Sequence, residues 1–125
     1  MTTKVYSDKA PAAIGPYSQG IVCGNLVFTS GQIALDAETG VLTGENITEQ
    51  THKVCKNLGE ILAQAGSSFE QVLKTVCYLA DMNDFADFNK VYAEYFISKP
   101  ARSCVAVKSL PKGALVEVEV IAEVG

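Results

Sequence analysis

Two residues near the C-terminus, Arg102 and Glu117, have the chemistry to handle a small carboxylic acid. Arginine presents a planar fork of N–H donors that matches a carboxylate bidentately. A glutamate can accept a proton from water, or hold that water in line with an electrophilic carbon. A plainer reading pairs the two as a structural salt bridge, and their spacing leaves both open. They lie in Pro-Ala-Arg-Ser-Cys-Val-Ala-Val-Lys-Ser-Leu-Pro-Lys-Gly-Ala-Leu-Val-Glu-Val-Glu, Pro100 to Glu119, which reads as two strands joined by a turn. Side chains alternate across a strand, so Arg102 and Cys104 share one face of the first while Ser103, Val105 and Val107 share the other. In the second, Val116, Val118, Val120 and Ala122 form an apolar face opposite Glu117 and Glu119. The expectation is one face packed on a core and one functional face carrying Arg102, Cys104, Glu117 and Glu119 together.

Other chemistry is poorly supplied. His52 is the only histidine, and the helical pattern around it puts it on or near a polar edge, where an exposed structural role is expected. A serine or cysteine nucleophile needs a base within hydrogen-bond reach, and no second histidine exists to serve Cys104. No Cys/His pair has zinc-ligand spacing. Neither a G-x-x-x-x-G-K-[ST] loop nor a G-x-G-x-x-G turn occurs. Neither a cofactor nor a metal is expected.

The elements that must position Arg102 and Glu117 can be read from hydrophobic period and turn residues. Thr3–Tyr6 suits a short strand, and Pro11, Gly15 and Pro16 break the stretch that follows. Tyr17, directly after the Gly-Pro turn, reads either as a loop aromatic covering the core or as a site residue. Ile21-Val22-Cys23 and Leu26-Val27-Phe28-Thr29 flank Gly24-Asn25, a hairpin with a primed turn. Ser30 and Gly31 end the second run, and a glycine there permits a bulge, a close backbone approach or a plain strand exit.

From Ile47 to Ala65 apolar residues recur at steps of three and four, with Gly66 as a stop. Gly59 inside that helix suggests a close helix–sheet contact. Val72–Ala80 alternates as a strand. Asn83 or Asp84 can cap a second helix whose stripe is Phe85, Phe88, Val91, Tyr92, Tyr95 and Phe96, and Pro100 prevents its continuation. Each helix has a single apolar stripe, so the predicted architecture is α+β: one mixed sheet with two helices packed on one face. The other sheet face needs a partner, and a second copy of the chain is the simplest candidate.

The chain has 125 residues, the usual size of one domain, and the expected organisation is a single domain over 1–125. Its net charge is −4 with no basic stripe, so nucleic acid is not an expected partner. The mean hydropathy of +0.17 is at the apolar end for this size, which hints at self-association. No apolar run of about 18 residues could span a membrane. The four cysteines at 23, 55, 77 and 104 form no close pair, and the N-terminus lacks the apolar core of a secretory signal. A reduced, cytoplasmic protein is the expected class, with Cys55 and Cys77 as small core residues.

Taken together, the motifs are familiar. Ala-Pro-Ala-Ala-Ile-Gly-Pro-Tyr-Ser-Gln-Gly, Thr-Ser-Gly-Gln-Ile, Asn-Asp-Phe-Ala-Asp-Phe-Asn, and Pro-Ala-Arg-Ser-Cys-Val with Leu-Pro-Lys-Gly and Val-Glu-Val-Glu-Val-Ile-Ala occur in this order across nearly the whole chain. This pattern resembles the RidA (YjgF) family of reactive-intermediate deaminases. The resemblance implies a chorismate-mutase-like fold and a homotrimer with clefts between subunits. It implies hydrolysis of enamines and imines such as 2-aminoacrylate with its tautomer 2-iminopropanoate, and 2-iminobutanoate, to a 2-oxo acid and ammonium. By the same resemblance Arg102 would clamp the substrate carboxylate and Glu117 would position or activate water. Tyr17, Ser30, Gly31 and Asn89 would line the cleft with Cys104, whose backbone is the expected contact. Two other functions stay open: binding of small 2-oxo acids without turnover, and the ribonuclease or translation-inhibitor activity attached to some members.

Overall fold

The computed structural model describes every residue, Met1–Gly125. The elements are β1 (Thr2–Val5), β2 (Gly20–Cys23), β3 (Leu26–Thr29), α1 (Ile47–Gln64), β4 (Val72–Leu79), α2 (Phe85–Tyr95), β5 (Ala101–Ala106) and β6 (Val116–Glu123). They build one six-stranded sheet in the order β1-β2-β3-β6-β4-β5. Every neighbouring pair is antiparallel except β4 and β5, which are parallel. A parallel pair requires a crossover, and α2 supplies it.

Local chemistry explains most of the boundaries. Gly24 takes φ 62° at the first turn position, as a primed hairpin turn demands, and Asn25 does not need a positive φ. The Asn46 side chain accepts the Glu49 N–H at 2.9 Å, while the Glu49 carboxylate takes the Glu45 N–H at 2.9 Å, so α1 starts on a near-reciprocal cap. Gly66 ends it at φ 80°. At α2, Asp84 occupies the cap position but its side chain makes no capping bond. The bond forms one turn earlier, where Asp81 accepts the Asn83 N–H at 2.9 Å, because a 3-10 turn at Met82–Asp84 precedes the helix.

Both helices pack on one sheet face. Val54, Cys55, Leu58, Ile61 and Leu62 of α1 and Phe88 of α2 meet Val27, Cys77, Leu79, Val116, Val118 and Ala122 from the strands, all fully buried. Cys55 and Cys77 are core residues, and burial pushes the Cys77 thiol up to about 12. Gly59 marks a close contact with a ring rather than with the sheet: a methyl there would meet Phe69 at 3.1 Å. His52 is half-buried, not exposed, and its Nδ1 lies 3.0 Å from the Tyr95 hydroxyl, tying α1 to α2.

The C-terminal strands differ from the sequence reading. β5 and β6 are not partners; β4 lies between them, pairing Thr75 with Arg102 on one side and with Val120 on the other. Thr75, Cys77, Val118 and Val120 face the helices, so Arg102 and Cys104 face them too. Glu117 is in register with Tyr78 and points to the opposite, open face. The expected shared face for Arg102, Cys104, Glu117 and Glu119 is therefore wrong. Alternation determines parity within a strand, whereas the relation between two strands depends on pairing, which no local pattern encodes.

Candidate functional site

Glu117 stands in a cleft of about 480 Å³ on the open face. Its walls include Tyr17, Ser30, Gly31, Lys112 and Glu119. A bulge makes room for the carboxylate. Between the β3–β6 pair Phe28–Ile121 and the isolated bridge Gln32–Val118, three residues on one side face two on the other. Gln32 and Val118 exchange both backbone hydrogen bonds, at 2.9 and 3.1 Å, so the ladder resumes after the bulge. The Thr29 hydroxyl fills the gap by accepting the Val120 N–H at 3.0 Å. Ser30 is fixed by donation of its hydroxyl to the Ser18 carbonyl at 2.5 Å.

Gly31 is required here by contact rather than by backbone angle. A methyl built on it would fall 2.8 Å from the Glu117 carboxyl carbon and still closer to Oε2. Gly31→Ala is therefore expected to expel the Glu117 carboxylate from its seat while leaving the buried core intact. A thermal melt within a few degrees of wild type, with the ¹³C carboxyl resonance of Glu117 displaced, is the expected result. An unmoved resonance would show that the methyl is accommodated without displacing the carboxylate.

Burial, reinforced by the Glu119 charge, pushes the Glu117 carboxyl above its ordinary value. Tyr17 is 53% exposed and lines this cleft, so it does not cover the core. Lys112 enters from the Pro111–Gly113 turn at φ 57°, a left-handed conformation that costs an ordinary residue roughly 1 kcal/mol. Its ammonium donates to the Gly40 carbonyl at 3.3 Å, bracing the turn against the next loop.

Arg102 belongs to a second assembly, on the other side of the sheet. Its Nη1 donates to Asn89 Oδ1 at 2.7 Å, a bond from edge strand β5 to helix α2. The guanidinium carbon lies 4.8 Å from the Tyr92 ring centre and 5.4 Å from that of Phe85. The Tyr92 hydroxyl is itself held 2.8 Å from Thr75 Oγ1. The fork is oriented on three sides, and the chain offers its other N–H groups no acceptor. Cys104 follows on the same face, half-buried, its thiol pushed up by burial against a smaller opposing pull from Arg102.

The structure thus sorts the expected site residues into two groups. Tyr17, Ser30, Gly31 and Glu117 come together on the open face; Asn89, Arg102 and Cys104 come together at the helix side of β5. Arg102 and Glu117 do not pair, and two strand spacings of about 4.8 Å plus the sheet itself separate them. Sequence reasoning passed over Phe85, Tyr92, Tyr78 and Lys112. Phe85, Asn89 and Tyr92 follow helical steps of four and three, so one face of α2 could have been assigned to an arginine, had the partner of that face been known.

A family profile described as endoribonuclease L-PSP matches residues 7–124. An Arabidopsis thaliana relative named Reactive Intermediate Deaminase A, chloroplastic, is 49% identical over 119 residues, covering 94% of this chain and 64% of that protein. The chain belongs to the RidA family. A second RidA relative, the 2-iminobutanoate/2-iminopropanoate deaminase of Mus musculus, is 47% identical over 122 residues, 97% of this chain and 90% of that one. Among solved structures, E. coli TdcF with bound serine superposes with a TM-score of 0.92 at 38% identity, covering 98% of this chain and 99% of that chain. The α+β fold is the RidA fold, and the family includes deaminases of reactive intermediates. No helix is long and apolar enough to cross a membrane.

Proposed function

We propose that this protein is a hydrolytic deaminase of small imino acids, 2-iminopropanoate and 2-iminobutanoate with their enamine tautomers, releasing a 2-oxo acid and ammonia. The observation that carries this reading is the division of the site into two prepared halves. One is a guanidinium held by Asn89, Tyr92 and Phe85 with N–H groups to spare; the other is a desolvated carboxyl seated against Gly31. An acid of six or seven heavy atoms cannot reach both within one copy.

The open sheet face supplies the remedy. Phe28 is 41% and Val105 48% exposed there, an apolar surface suited to a second copy. The proposed assembly is a homotrimer in which Arg102 of one subunit meets the Glu117 cleft of the next. Arg102 clamps the substrate carboxylate and Tyr17, Ser30 and Gly31 form the wall. Glu117 orients water and accepts its proton as the oxygen adds to the imine carbon and the C=N electrons move to nitrogen. Returning that proton to nitrogen gives the neutral carbinolamine. Glu117 then takes the carbinolamine hydroxyl proton and delivers it to the amine, so the C–N bond breaks as the carbonyl forms and ammonia leaves. The imine carbon is already electrophilic, so orientation and charge placement are the whole task. Cys104 remains a neutral thiol without a base, contributing its backbone. The RidA relative crystallised with serine supports a small amino-acid-like ligand.

A ribonuclease reading fits the cleft less well. Glu117 and Glu119 place two carboxylates where a phosphodiester would lie, with Lys112 as the cation beside them.

The activity is tested by generating 2-iminobutanoate from threonine with a pyridoxal-phosphate dehydratase and letting semicarbazide compete for it. The protein should accelerate 2-oxobutanoate release and suppress the semicarbazone. No change in either would leave a binding protein without turnover. The shared cleft has its own test. Arg102→Ala and Glu117→Gln chains, each inactive alone, should regain about a quarter of wild-type activity when refolded together, because random assembly leaves that share of clefts with both residues intact. A mixture as inactive as its parts would rule out sites built between copies.

A further inference from the structure

Glu119 has no part in the chemistry above, yet it lies in the same cleft as Glu117, two residues along β6 and on the same face. Two carboxylates side by side in a partly desolvated cleft are costly unless something holds them there. Tyr78 is the holder. It stands opposite Glu117 in the β4–β6 register, and its hydroxyl reaches across to donate to Glu119 Oε1 at 3.0 Å. Glu119 is thereby fixed by a dedicated bond instead of turning away into solvent. Glu117 has no such bond and is located by contact with Gly31.

We propose that Glu119, anchored by Tyr78, is a positioning residue for the hydrolytic reaction: it acts through Glu117, as a second negative charge fixed beside the carboxyl that handles water. This rests on the deaminase reading of the Glu117 cleft. The groups facing Glu117 are Glu119 from its own strand, Tyr78 from β4, Lys112 from the turn and Tyr17 from the loop. Of these, Lys112 is drawn off by the Gly40 carbonyl, which leaves Glu119 as the charge that acts. The consequence is a stronger base. A carboxylate beside a fixed anion holds a proton more firmly once it has taken one from water, and returns it less readily to bulk solvent before the amine departs. The direction of the Glu117 shift agrees, with Glu119 among its causes. The Tyr78 phenol is held above its ordinary value first by the same bond.

The test is the pH profile of kcat/KM for wild type, Glu119→Gln and Tyr78→Phe. Glu119→Gln keeps shape and can still accept from Tyr78, so folding is preserved. Its acid limb is expected to move to lower pH, with kcat falling several-fold and KM little changed. Tyr78→Phe frees the Glu119 carboxylate and should move the limb the same way by less. An acid limb unmoved in Glu119→Gln, with turnover intact, overturns the proposal. A ¹³C titration of the Glu117 carboxyl in the same proteins separates the two readings. If wild type turns over no imine at any pH, the deaminase reading has failed, and the titration still reports whether Glu119 controls Glu117. A Glu117 midpoint unaffected by Glu119→Gln defeats the inference on its own.

Discussion

Arg102→Ala is expected to lose substrate interaction worth roughly 2–5 kcal/mol, which is about a 30- to 5,000-fold drop in kcat/KM. The size of the effect follows from how the side chain is held. Its guanidinium sits against Tyr92 and Phe85 with one N–H on Asn89, so binding a carboxylate costs almost no further ordering of the fork. Removing it leaves the substrate carboxylate desolvated and unpaired. Arg102→Lys restores charge but not the fork, and one ammonium cannot serve Asn89 and both carboxylate oxygens together, so recovery should be partial. The scavenger-competition assay reads all three proteins side by side. Full activity in Arg102→Ala would remove the clamp assignment. Asn89→Ala should fall between wild type and Arg102→Ala, since the rings still hold the guanidinium.

Glu117→Gln is expected to abolish turnover, by at least about a hundredfold, while 2-oxobutanoate still binds with an affinity near that of wild type. The amide keeps the shape that fills the seat against Gly31 and loses only the capacity to take a proton. In wild type the base must be ionised, and burial with Glu119 holds its carboxyl above the ordinary value. Turnover should therefore fall as pH drops through that raised value, at higher pH than a free glutamate would give. Any residual activity of Glu117→Gln should lack this acid limb. Isothermal titration with 2-oxobutanoate, beside the turnover assay, separates loss of chemistry from loss of binding. Substantial turnover in the variant would transfer the water-handling role elsewhere in the cleft.

These expectations draw on different levels of the chain. The helix over 47–64, the Gly24-Asn25 hairpin, strand β4 and the buried stripe of α2 were legible because each follows from period, capping or turn chemistry within a dozen residues. Arg102, Glu117, Tyr17, Ser30, Gly31, Asn89 and Cys104 could be chosen as candidates because their chemistry, and the motifs that carry them, are local too. The contact between Gly31 and Glu117 was half legible: a glycine at a strand exit allows close approach, but the approaching group lies 86 positions away. The face carrying Arg102 was misplaced, since β5 and β6 look like a hairpin until β4 is found between them. Phe85 and Tyr92 read as core because an apolar stripe looks the same whether it covers a sheet or an arginine.

By itself, then, the amino-acid sequence determined which residues could do chemistry, which residues of one strand share a side and how the helices present their apolar stripes. All of these are consequences of fixed periods and near-neighbour sterics. Only the tertiary structure decided that Arg102 and Glu117 lie on opposite faces, that Asn89 and Tyr92 hold the arginine, and that Glu119 is tied to Tyr78. Those relations depend on strand order and register across the sheet. They are set by how the whole core packs, a property to which every element contributes and which no single stretch contains.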